Sequence, residues 1–337
     1  MTTFAQRACL GLLLLFCFHS VPALAQWKAD KPIRIIVPWS AGGSTDQTTR
    51  VLAAELEKAL GQPITVLNQP GASGSIGTQN VLDAPRDGYT FAAGAAKDLG
   101  VYKLLGMLDT RIQDWHLYLA VAHVAVVSVN AKLPYRNMGE LLKAMRARPG
   151  EFRVATAGIN SSGHSAMQAI ARIAQVQVQQ LSYDGGRTAV LATVAGDADV
   201  TTQLAADQIS YFKAGSLRPL AVVSQFPLQI EGYGQIEPLA KTLSGFSDPP
   251  NYFGLFIPKG VPPRMIAALD RVWDEKIVRS KDLQDYATKH GAMFAPSRGD
   301  MALAQAMPAV RAYAWAQHAA GRTKMSPASL GIPEPQH

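Results

Sequence analysis

The feature that most constrains this chain is an order of structural elements that occurs twice along it. A short apolar run at Ile33–Val37 is followed by a loop of small residues and then by a helical pattern in which Leu52, Leu56 and Ala59 share one face. A second apolar run at 64–67, a glycine-containing loop and a further helix come next. Strands that alternate with helices of this length form right-handed βαβ units with parallel strands. The first half of the chain therefore predicts an α/β lobe.

The same order returns in the second half of the chain. Strands are predicted at 152–156 and 176–181, and helices at 165–173 and 188–194, with a loop of small residues after each strand. The two halves share this architecture and not their sequence. Because open α/β sheets bind ligands at the carboxyl ends of their strands, we expect two similar lobes whose loops face each other across a cleft.

The loop at 39–43 leads into the first predicted helix. Ser44 and Gln47 have the spacing of a capping box, and Asp46 lies in the first turn, where the helix dipole favours a negative charge. Small residues allow a ligand to approach the backbone, and free N–H groups at a helix start attract an anion. Taken alone, this loop fits an anion site and a plain strand-to-helix turn equally well.

Three further loops have the same character, at 71–75, 160–165 and 182–186. Each places backbone amides or hydroxyl groups at a predicted helix start. Four such loops, divided between two lobes, predict an anion cradle made mainly of neutral donors. We expect valine at Gly43 or Gly74 to weaken ligand binding by about 2 kcal/mol or more. The added side chain would crowd the ligand and would be incompatible with any positive φ at either glycine.

Catalysis and metal binding are poorly supported by the residue patterns. The sequence contains no G-x-S-x-G motif. His164 lies close to Ser162 and Ser165, but neighbours at a helix start point in different directions and no orienting acid is evident. His116 and His123 stand seven residues apart in an apolar context, which is not a metal-binding spacing. We therefore predict no catalytic residue, no metal site and no cofactor, and a capping or pocket-lining role for His164.

The first residues of the chain predict an export signal. Arg7 is followed by an apolar run at 8–18 and by an A-x-A pattern that ends at Ala25, so we expect cleavage before Gln26 and a periplasmic location. The alternative is an uncleaved anchor, but the apolar run is too short to span a bilayer. Both cysteines of the chain lie within the predicted signal, so the mature chain is expected to have no disulfide.

The net charge of +7 is spread along the chain and forms no stripe of lysine and arginine. This distribution argues against nucleic acid as a partner and favours an anionic ligand only weakly. The length predicts two domains, and we expect a monomer. The tail from Gly321 onward is rich in proline, glycine and serine and is expected to be loosely ordered.

Several segments of the sequence resemble the Bug proteins, the receptors of tripartite tricarboxylate transporters. They are KPIRIIVP at 31–38, AGGSTD at 41–46, GQPITVLNQPGASGSIG at 61–77, APRDGYT at 84–90, SYDGG at 182–186, KAGSLR at 213–218 and FGLF at 253–256. They extend over essentially the whole predicted mature chain. In combination they are highly specific for this family.

The resemblance implies an α/β fold of the type II periplasmic-binding-protein kind, with two lobes, mainly parallel sheets and a hinged cleft. The implied organisation is a signal peptide at 1–25, lobe one at 26–124 and 252–337, and lobe two at 125–251. The implied function is capture of a small organic carboxylate (dicarboxylate, tricarboxylate, aromatic carboxylate or a related acid). The membrane permease subunits of a tripartite tricarboxylate transporter would receive it. A ligand-presenting role toward a periplasmic sensor and an enzyme acting on a carboxylic acid stay open as alternatives.

The resemblance also implies which residues touch the ligand. Amides and ordered waters of the loops at 40–46 and 71–75 would hold its carboxylate, and lobe two would contact its variable end. The predicted ligand-binding residues are Trp39, Ser40, Ala41, Gly42, Gly43, Ser44, Asp46, Gly71, Ala72, Ser73, Gly74, Asn160, Ser161, Ser162, His164, Tyr183, Asp184, Gly185 and Gln203.

Some positions depart from the family pattern. Trp39 stands where phenylalanine is usual, and Gln203 begins a pair where many members have Asp-Asn. Lys97 and Asp98 lie close to the expected third loop of lobe one, and Tyr252 stands where tryptophan is common. These departures leave the identity of the ligand open.

Overall fold

The computed structural model describes residues 29–246 and 249–335. The predicted signal peptide and its cleavage site after Ala25 lie outside the described residues. The strands are β1 (Ile33–Val37), β2 (Ile64–Asn68), β3 (Thr90–Ala95), β4 (Trp115–His123), β5 (Ala125–Asn130), β6 (Arg153–Thr156), β7 (Gln179–Ser182), β8 (Val200–Leu204), β9 (Leu217–Val222), β10 (Leu228–Ile230), β11 (Gly234–Ile236), β12 (Asn251–Pro258) and β13 (Ala292–Arg298). The helices are α1 (Ser44–Leu60), α2 (Ser75–Asp83), α3 (Ala96–Val101), α4 (Met138–Ala147), α5 (Ser162–Ala174), α6 (Gly186–Ala195), α7 (Ala205–Lys213), α8 (Pro263–Glu275), α9 (Lys281–Lys289) and α10 (Gly299–Ala319).

Two separate sheets carry the fold. The first has six strands in the order β13-β4-β12-β3-β1-β2, and the second has five in the order β7-β6-β8-β5-β9. Parallel pairing, which the alternation of strands and helices predicts, joins β1 to β2 and β3, and β6 to β7 and β8. The other pairs are antiparallel, because β4, β5 and β12 carry the chain between the two sheets and run against their neighbours.

The chain passes between the sheets at two places that lie side by side. Strand β4 ends at His123 and β5 begins at Ala125, so a single residue, Val124, separates them. The returning strand β12 begins at Asn251, which is paired with His123 in the first sheet. Both connections between the sheets therefore lie at the same end of two adjacent strands.

Hydrophobic side chains cover both faces of the first sheet. On one face, Leu52 and Leu56 of α1 lie one turn apart and pack in one cluster with Trp273 of α8, all fully buried. On the other face, Tyr102 and Val310 belong to a second cluster that includes α10. Burying a side chain of this size stabilises the fold by roughly 1.5–3 kcal/mol. These clusters hold the strand ends, and therefore the loops that follow them, in place.

The second sheet is covered in the same manner. Helices α4 and α5 pack on it in one cluster, and α6 and α7 contribute to another. Within the described ranges, none of the helices combines the length and the apolar composition needed to cross a membrane.

The end of the chain is more ordered than its composition suggests. The prediction of a loosely ordered tail is wrong for its described part, 321–335. Ile332 is only 3% exposed, and the indole N–H of Trp315 donates to the carbonyl oxygen of Pro333 at 2.9 Å. A short turn of 3-10 helix at Pro327–Leu330 brings this segment back against the protein, where the apolar contact of Ile332 outweighs the polar composition around it.

We expect Gly254→Ala in β12 to destabilise the protein. Strand β4 passes so close that an added methyl carbon at Gly254 would lie 1.9 Å from the carbonyl oxygen of Tyr118. Relief requires the sheet to shift, so the free energy of unfolding measured in urea should fall by about 3 kcal/mol. Gly139→Ala is the matched control, because its methyl group would meet only the Asn137 side chain, at 3.3 Å. An unchanged unfolding midpoint for G254A would contradict this close packing.

Candidate functional site

The loops at the strand ends of the two sheets touch each other across the cleft. The amide of Ser40 donates to the carbonyl oxygen of Asp184 at 3.0 Å. The ammonium group of Lys97 donates to the carbonyl oxygen of Asn160 at 2.6 Å. Each bond joins a loop or helix of the first sheet to a loop of the second. The cleft is therefore closed in this structure.

A small cavity remains between these loops, with a volume of about 40 Å³. Trp39, Ser44 and Phe253 line it from the first sheet, and Ser161 and Gln203 line it from the second. A cavity of this volume holds only a few water molecules. An organic acid therefore requires the loops to separate before it can enter.

The start of α1 differs from the predicted capping box. Gly43 is the N-cap residue, with a φ of −80°, and Ser44 is already helical. The predicted Ser44 cap is wrong because the helix begins one residue earlier, which removes the Ser44 side chain from the capping position. In its place, the Asp46 carboxylate accepts from the Gly42 amide at 2.8 Å, and the Gln47 side chain donates to the Gly42 carbonyl oxygen at 2.8 Å. The φ of Gly43 is one that any residue can adopt, so its backbone conformation does not require glycine.

The α1 start is instead capped from the other lobe by Asp207, a residue absent from the predicted site. The Ser44 amide donates to Oδ1 of Asp207 at 2.7 Å, although the two residues are 163 positions apart. The second carboxylate oxygen lies against the start of α6, where an added methyl carbon on Gly186 would be 2.2 Å from it. Asp207 is 7% exposed. A carboxylate of the protein itself thus lies at the helix start where the sequence predicts a ligand anion.

The environment of Asp207 perturbs its ionisation. Burial raises the pKa of its carboxyl to about 6, although hydrogen bonding by Ser44 and the positive charge of Arg187 lower it. The sequence signal for this residue is weak. An acid at the third position of a helix, where Asp207 lies in α7, usually complements the dipole of that helix alone. Asp207 lies in the cleft because its carboxylate contacts Ser44 of the other lobe.

Lys97 and Asp98 form a buried ion pair beside the cavity. Nζ and Oδ1 are 3.0 Å apart, and the two side chains are 4% and 7% exposed. Nζ also lies 4.2 Å from the centre of the Tyr313 ring. Burial raises the pKa of Asp98, and the charge of Lys97 lowers it. Of this pair only Asp98 lines the cavity, so Lys97 is engaged elsewhere and does not present its charge to a ligand there.

The loop at 71–74 has an unusual backbone. Gly71, Ala72, Ser73 and Gly74 all have positive φ, at 128°, 45°, 53° and 88°. Such a conformation is uncommon for alanine and serine and costs roughly 1 kcal/mol or more at each residue. Gly74 packs under Trp39, because an added methyl carbon would lie 3.1 Å from Cζ2 of that ring. Backbone strain of this kind is typical of binding loops.

The third predicted loop leads into α5. Ser161 caps this helix by accepting from the His164 amide at 3.2 Å. The His164 ring contacts Gln168, with 2.6 Å between the two Nε2 atoms, and burial lowers its pKa to about 4. His164 is therefore neutral at pH 7 and belongs to the packing of lobe two. Asn160 is fully buried and reaches the other lobe through its carbonyl oxygen.

The fourth loop and strand β8 contribute differently to the cleft. The side chain of Tyr183 is half-buried and that of Asp184 is exposed, while Gly185 packs so tightly that an added methyl carbon would lie 2.0 Å from Oγ of Ser40. Gln203 lines the cavity and is 2% exposed. Its Nε2 has no hydrogen-bond partner among the described residues.

Part of the predicted set thus lines the cavity and part does not. The predicted residues that line it are Trp39, Ser40, Gly43, Ser44, Ser161, Ser162 and Gln203. The predicted residues that lie outside its lining are Ala41, Gly42, Asp46, Gly71, Ala72, Ser73, Gly74, Asn160, His164, Tyr183, Asp184 and Gly185. The predicted set omits Asp98, Phe253 and Asp207, which line it. In the part of the chain that the structure describes, no three His, Cys, Asp or Glu side chains are grouped so as to hold a metal ion.

The sequence is similar to a described family and to several curated proteins. The sequence model of the family described as "Tripartite tricarboxylate transporter family receptor" matches residues 48–300. Protein BugT of Bordetella pertussis is 27% identical over 290 residues, which cover 84% of this chain and 87% of BugT. A protein of Cupriavidus necator, described as the UPF0065 protein in the gbd 5' region, is 31% identical over 278 residues, which cover 79% of each chain.

Several solved structures have the same architecture. The periplasmic binding protein BugD matches with a TM-score of 0.80 at 22% identity, over 88% of this chain and 100% of BugD. A protein of R. palustris with adipate matches with a TM-score of 0.78 at 22% identity, over 87% of this chain and 98% of that one. MatC from Rhodopseudomonas palustris with bound malate matches with a TM-score of 0.77 at 22% identity, over 85% of this chain and 99% of MatC. At this level of identity the likeness concerns the fold.

We expect a fall in pH to stabilise the wild-type protein relative to the Asp207→Asn variant. An Asp207 pKa of about 6 in the folded protein, against 3.8 when unperturbed, means that the ionised carboxylate costs stability above pH 6. This cost disappears as the pH falls below 6, because the folded state then takes up a proton. From pH 7.5 to pH 5, the difference in free energy of unfolding between the two proteins should move by about 1–2 kcal/mol in favour of the wild type.

Urea denaturation at both pH values measures this difference. The buried histidines are present in both proteins, so their contributions cancel. Asp285→Asn, the same change at an exposed position of α9, is the control, and its difference from the wild type should stay constant. A pH-independent difference for D207N would contradict the burial of an ionised carboxylate at this place.

Proposed function

Since the chain belongs to the tripartite tricarboxylate transporter receptor family, we propose that it captures a small organic carboxylate in the cleft between its two lobes. The family consists of solute-binding receptors and not of enzymes. Its match to this chain confirms the resemblance to the Bug proteins, and the solved neighbours confirm the α/β periplasmic-binding-protein fold.

The observation that carries this proposal is the meeting of strand-end loops from two sheets around one closed cavity. These loops present hydroxyl groups and amides, including Ser161 and Ser162 at the start of α5. The buried Nε2 of Gln203 is a donor without a partner, and leaving such a group unpaired is costly. An acceptor oxygen on a ligand would relieve that cost. The adipate and malate bound to two structural neighbours support a carboxylate.

The proposed movement is a rotation of lobe one, at 26–124 and 252–337, against lobe two, at 125–251. The axis would run through the paired crossings at Val124 and Asn251. Opening would break the hydrogen bond between Ser40 and Asp184 and widen the cavity. Closure around the ligand would bring the two sets of loops back together and exclude water.

The proposed destination of the ligand is a pair of membrane permease subunits of a tripartite tricarboxylate transporter. The family description supports this partner. The matching location is the periplasm, with the signal peptide removed after Ala25. Mass spectrometry of the exported protein should then find Gln26 at its start.

We expect the protein to become more compact when it binds its ligand. The Ser40–Asp184 and Lys97–Asn160 hydrogen bonds hold the loops of the two lobes together, so entry of an organic acid requires the lobes to separate. Small-angle scattering should show a smaller radius of gyration with saturating ligand than without it. Unfolding and refolding before the measurement removes acid carried over from the expression host. An unchanged radius under conditions in which calorimetry shows saturation would contradict hinge closure.

We expect Gly74→Ala to weaken ligand binding more than it weakens the fold. The φ of 88° and the closeness of the Tyr102 hydroxyl, 2.8 Å from an added methyl carbon, would force the 71–74 loop to rearrange. The dissociation constant should rise by about tenfold or more, which is roughly 1.4 kcal/mol. Gly61→Ala is the matched control.

Gly61 has a comparable φ of 64°, at the end of α1, and an added methyl carbon would meet nothing within 4 Å. Its substitution should cost roughly 1 kcal/mol of stability through the backbone alone and leave binding intact. Calorimetric titration and urea denaturation of both variants separate the two effects. Equal loss of binding in both variants would show that the 71–74 loop has no special role.

A further inference from the structure

Asp207 occupies the helix start that the sequence predicts as an anion site. Its carboxylate accepts from the Ser44 amide at 2.7 Å and lies against Gly186 at the start of α6. A ligand carboxylate placed at the same helix start would lie beside it. Two carboxylates in contact do not both stay ionised, and the pair retains a proton at a cost in binding free energy. This part of the cavity is therefore unfavourable for a second anion.

The charged residues that line the cavity are both acids, Asp98 and Asp207. Asp98 is paired with Lys97 at 3.0 Å, so its charge is balanced within the protein. Arg187 acts on Asp207 through its charge, but its side chain is exposed and makes no ion pair with Asp207 in the described structure. Asp207 is thus the carboxylate of this cavity that has no cation in contact with it.

Gln203 provides an independent sign that a ligand completes this cavity. Its side chain is 2% exposed and lines the cavity, and its Nε2 donates to nothing in the described structure. A buried amide N–H group without an acceptor costs roughly 1–3 kcal/mol. The unpaired Nε2 of Gln203 favours an acceptor on the ligand, and the negative charge of Asp207 favours a cationic group. A dicarboxylate dianion offers acceptors alone.

We propose that Asp207 selects organic acids that present an ammonium group to this cavity and disfavours dicarboxylate dianions. The inference rests on the proposed capture of a carboxylate and narrows it to amino-substituted acids. Trp39 and Phe253, which also line the cavity, carry no positive charge that would offset a second carboxylate.

The test uses pairs of acids that have the same number of carbons and differ in one end group. The pairs are succinate with γ-aminobutyrate, glutarate with δ-aminovalerate, and adipate with ε-aminocaproate. Calorimetric titrations of the mature, ligand-stripped protein should show that the amino acid of a pair binds at least tenfold more tightly than its dicarboxylate. In Asp207→Asn this ratio should fall by at least tenfold, because the neutral amide no longer repels the second carboxylate.

Asp285→Asn makes an equal change of charge at an exposed position of α9. It should show the same ratio of affinities as the wild type. Asp207→Ser serves as a second neutral variant if D207N does not fold, as judged by circular dichroism. Tighter binding of the dicarboxylates to the wild type, or the same ratio in the neutral variants, would overturn the role of Asp207 and leave carboxylate capture in place. Binding of no carboxylate at all by the folded wild type would overturn both proposals.

A second, independent readout comes from proton uptake on binding. Titration of a dicarboxylate in two buffers of different ionisation enthalpy should reveal uptake of a proton, because the paired carboxyl groups share one. The amino acid of the same pair should bind without proton uptake. The other charged or titratable groups around Asp207 are Arg187 of α6, Tyr286 of α9 and Asp98 of α3. Loss of the uptake in D207N assigns the proton to Asp207, and uptake that persists there would contradict the proposal.

Discussion

The pairing of β4 with β12 is the constraint on which the rest of the structure depends. These strands are antiparallel neighbours from the pair Trp115 and Pro258 to the pair His123 and Asn251, and they carry the chain out of the first sheet and back into it. Since both crossings lie side by side at the same end of these two strands, the strand-end loops of the two sheets face each other. The cleft, its cavity and the contact between Ser44 and Asp207 follow from that arrangement.

Charge within the cleft is governed by local contacts and not by the total charge of the chain. The sequence carries a net charge of +7, yet the charged residues lining the cavity are Asp98 and Asp207. Lys97, the buried cation nearby, ties the lobes together through the carbonyl oxygen of Asn160. The partial positive charge of two helix starts stabilises a carboxylate that belongs to the protein. The positive helix starts that predict an anionic ligand are therefore partly neutralised by Asp207, a carboxylate of the protein itself.

Local patterns predict much of the fold, whereas the site depends on contacts that such patterns do not contain. The helices predicted at 165–173 and 188–194 correspond to α5 and α6, because apolar spacing and glycine loops mark their ends. The predicted Ser44 cap is wrong because Gly43 is the N-cap residue, and the Ser44 amide finds its partner 163 residues away. Glycine at position 74 signals a positive φ, but alanine and serine at 72 and 73 do not. The described part of the tail, 321–335, is held by the burial of Ile332. A composition rich in proline, glycine and serine does not predict that single apolar contact.

The single residue between β4 and β5 has a mechanical consequence. In the proposed rotation, Val124 on one side and the paired start of β12 on the other would leave the lobes one main coordinate of movement, the angle between them. A small rotation at the cavity would then move atoms far from the axis over a larger distance than atoms near it. In this proposed movement the spacing of the outer rims would depend on whether the cavity is filled, so a surface that contacts both rims would distinguish the two states without contacting the solute.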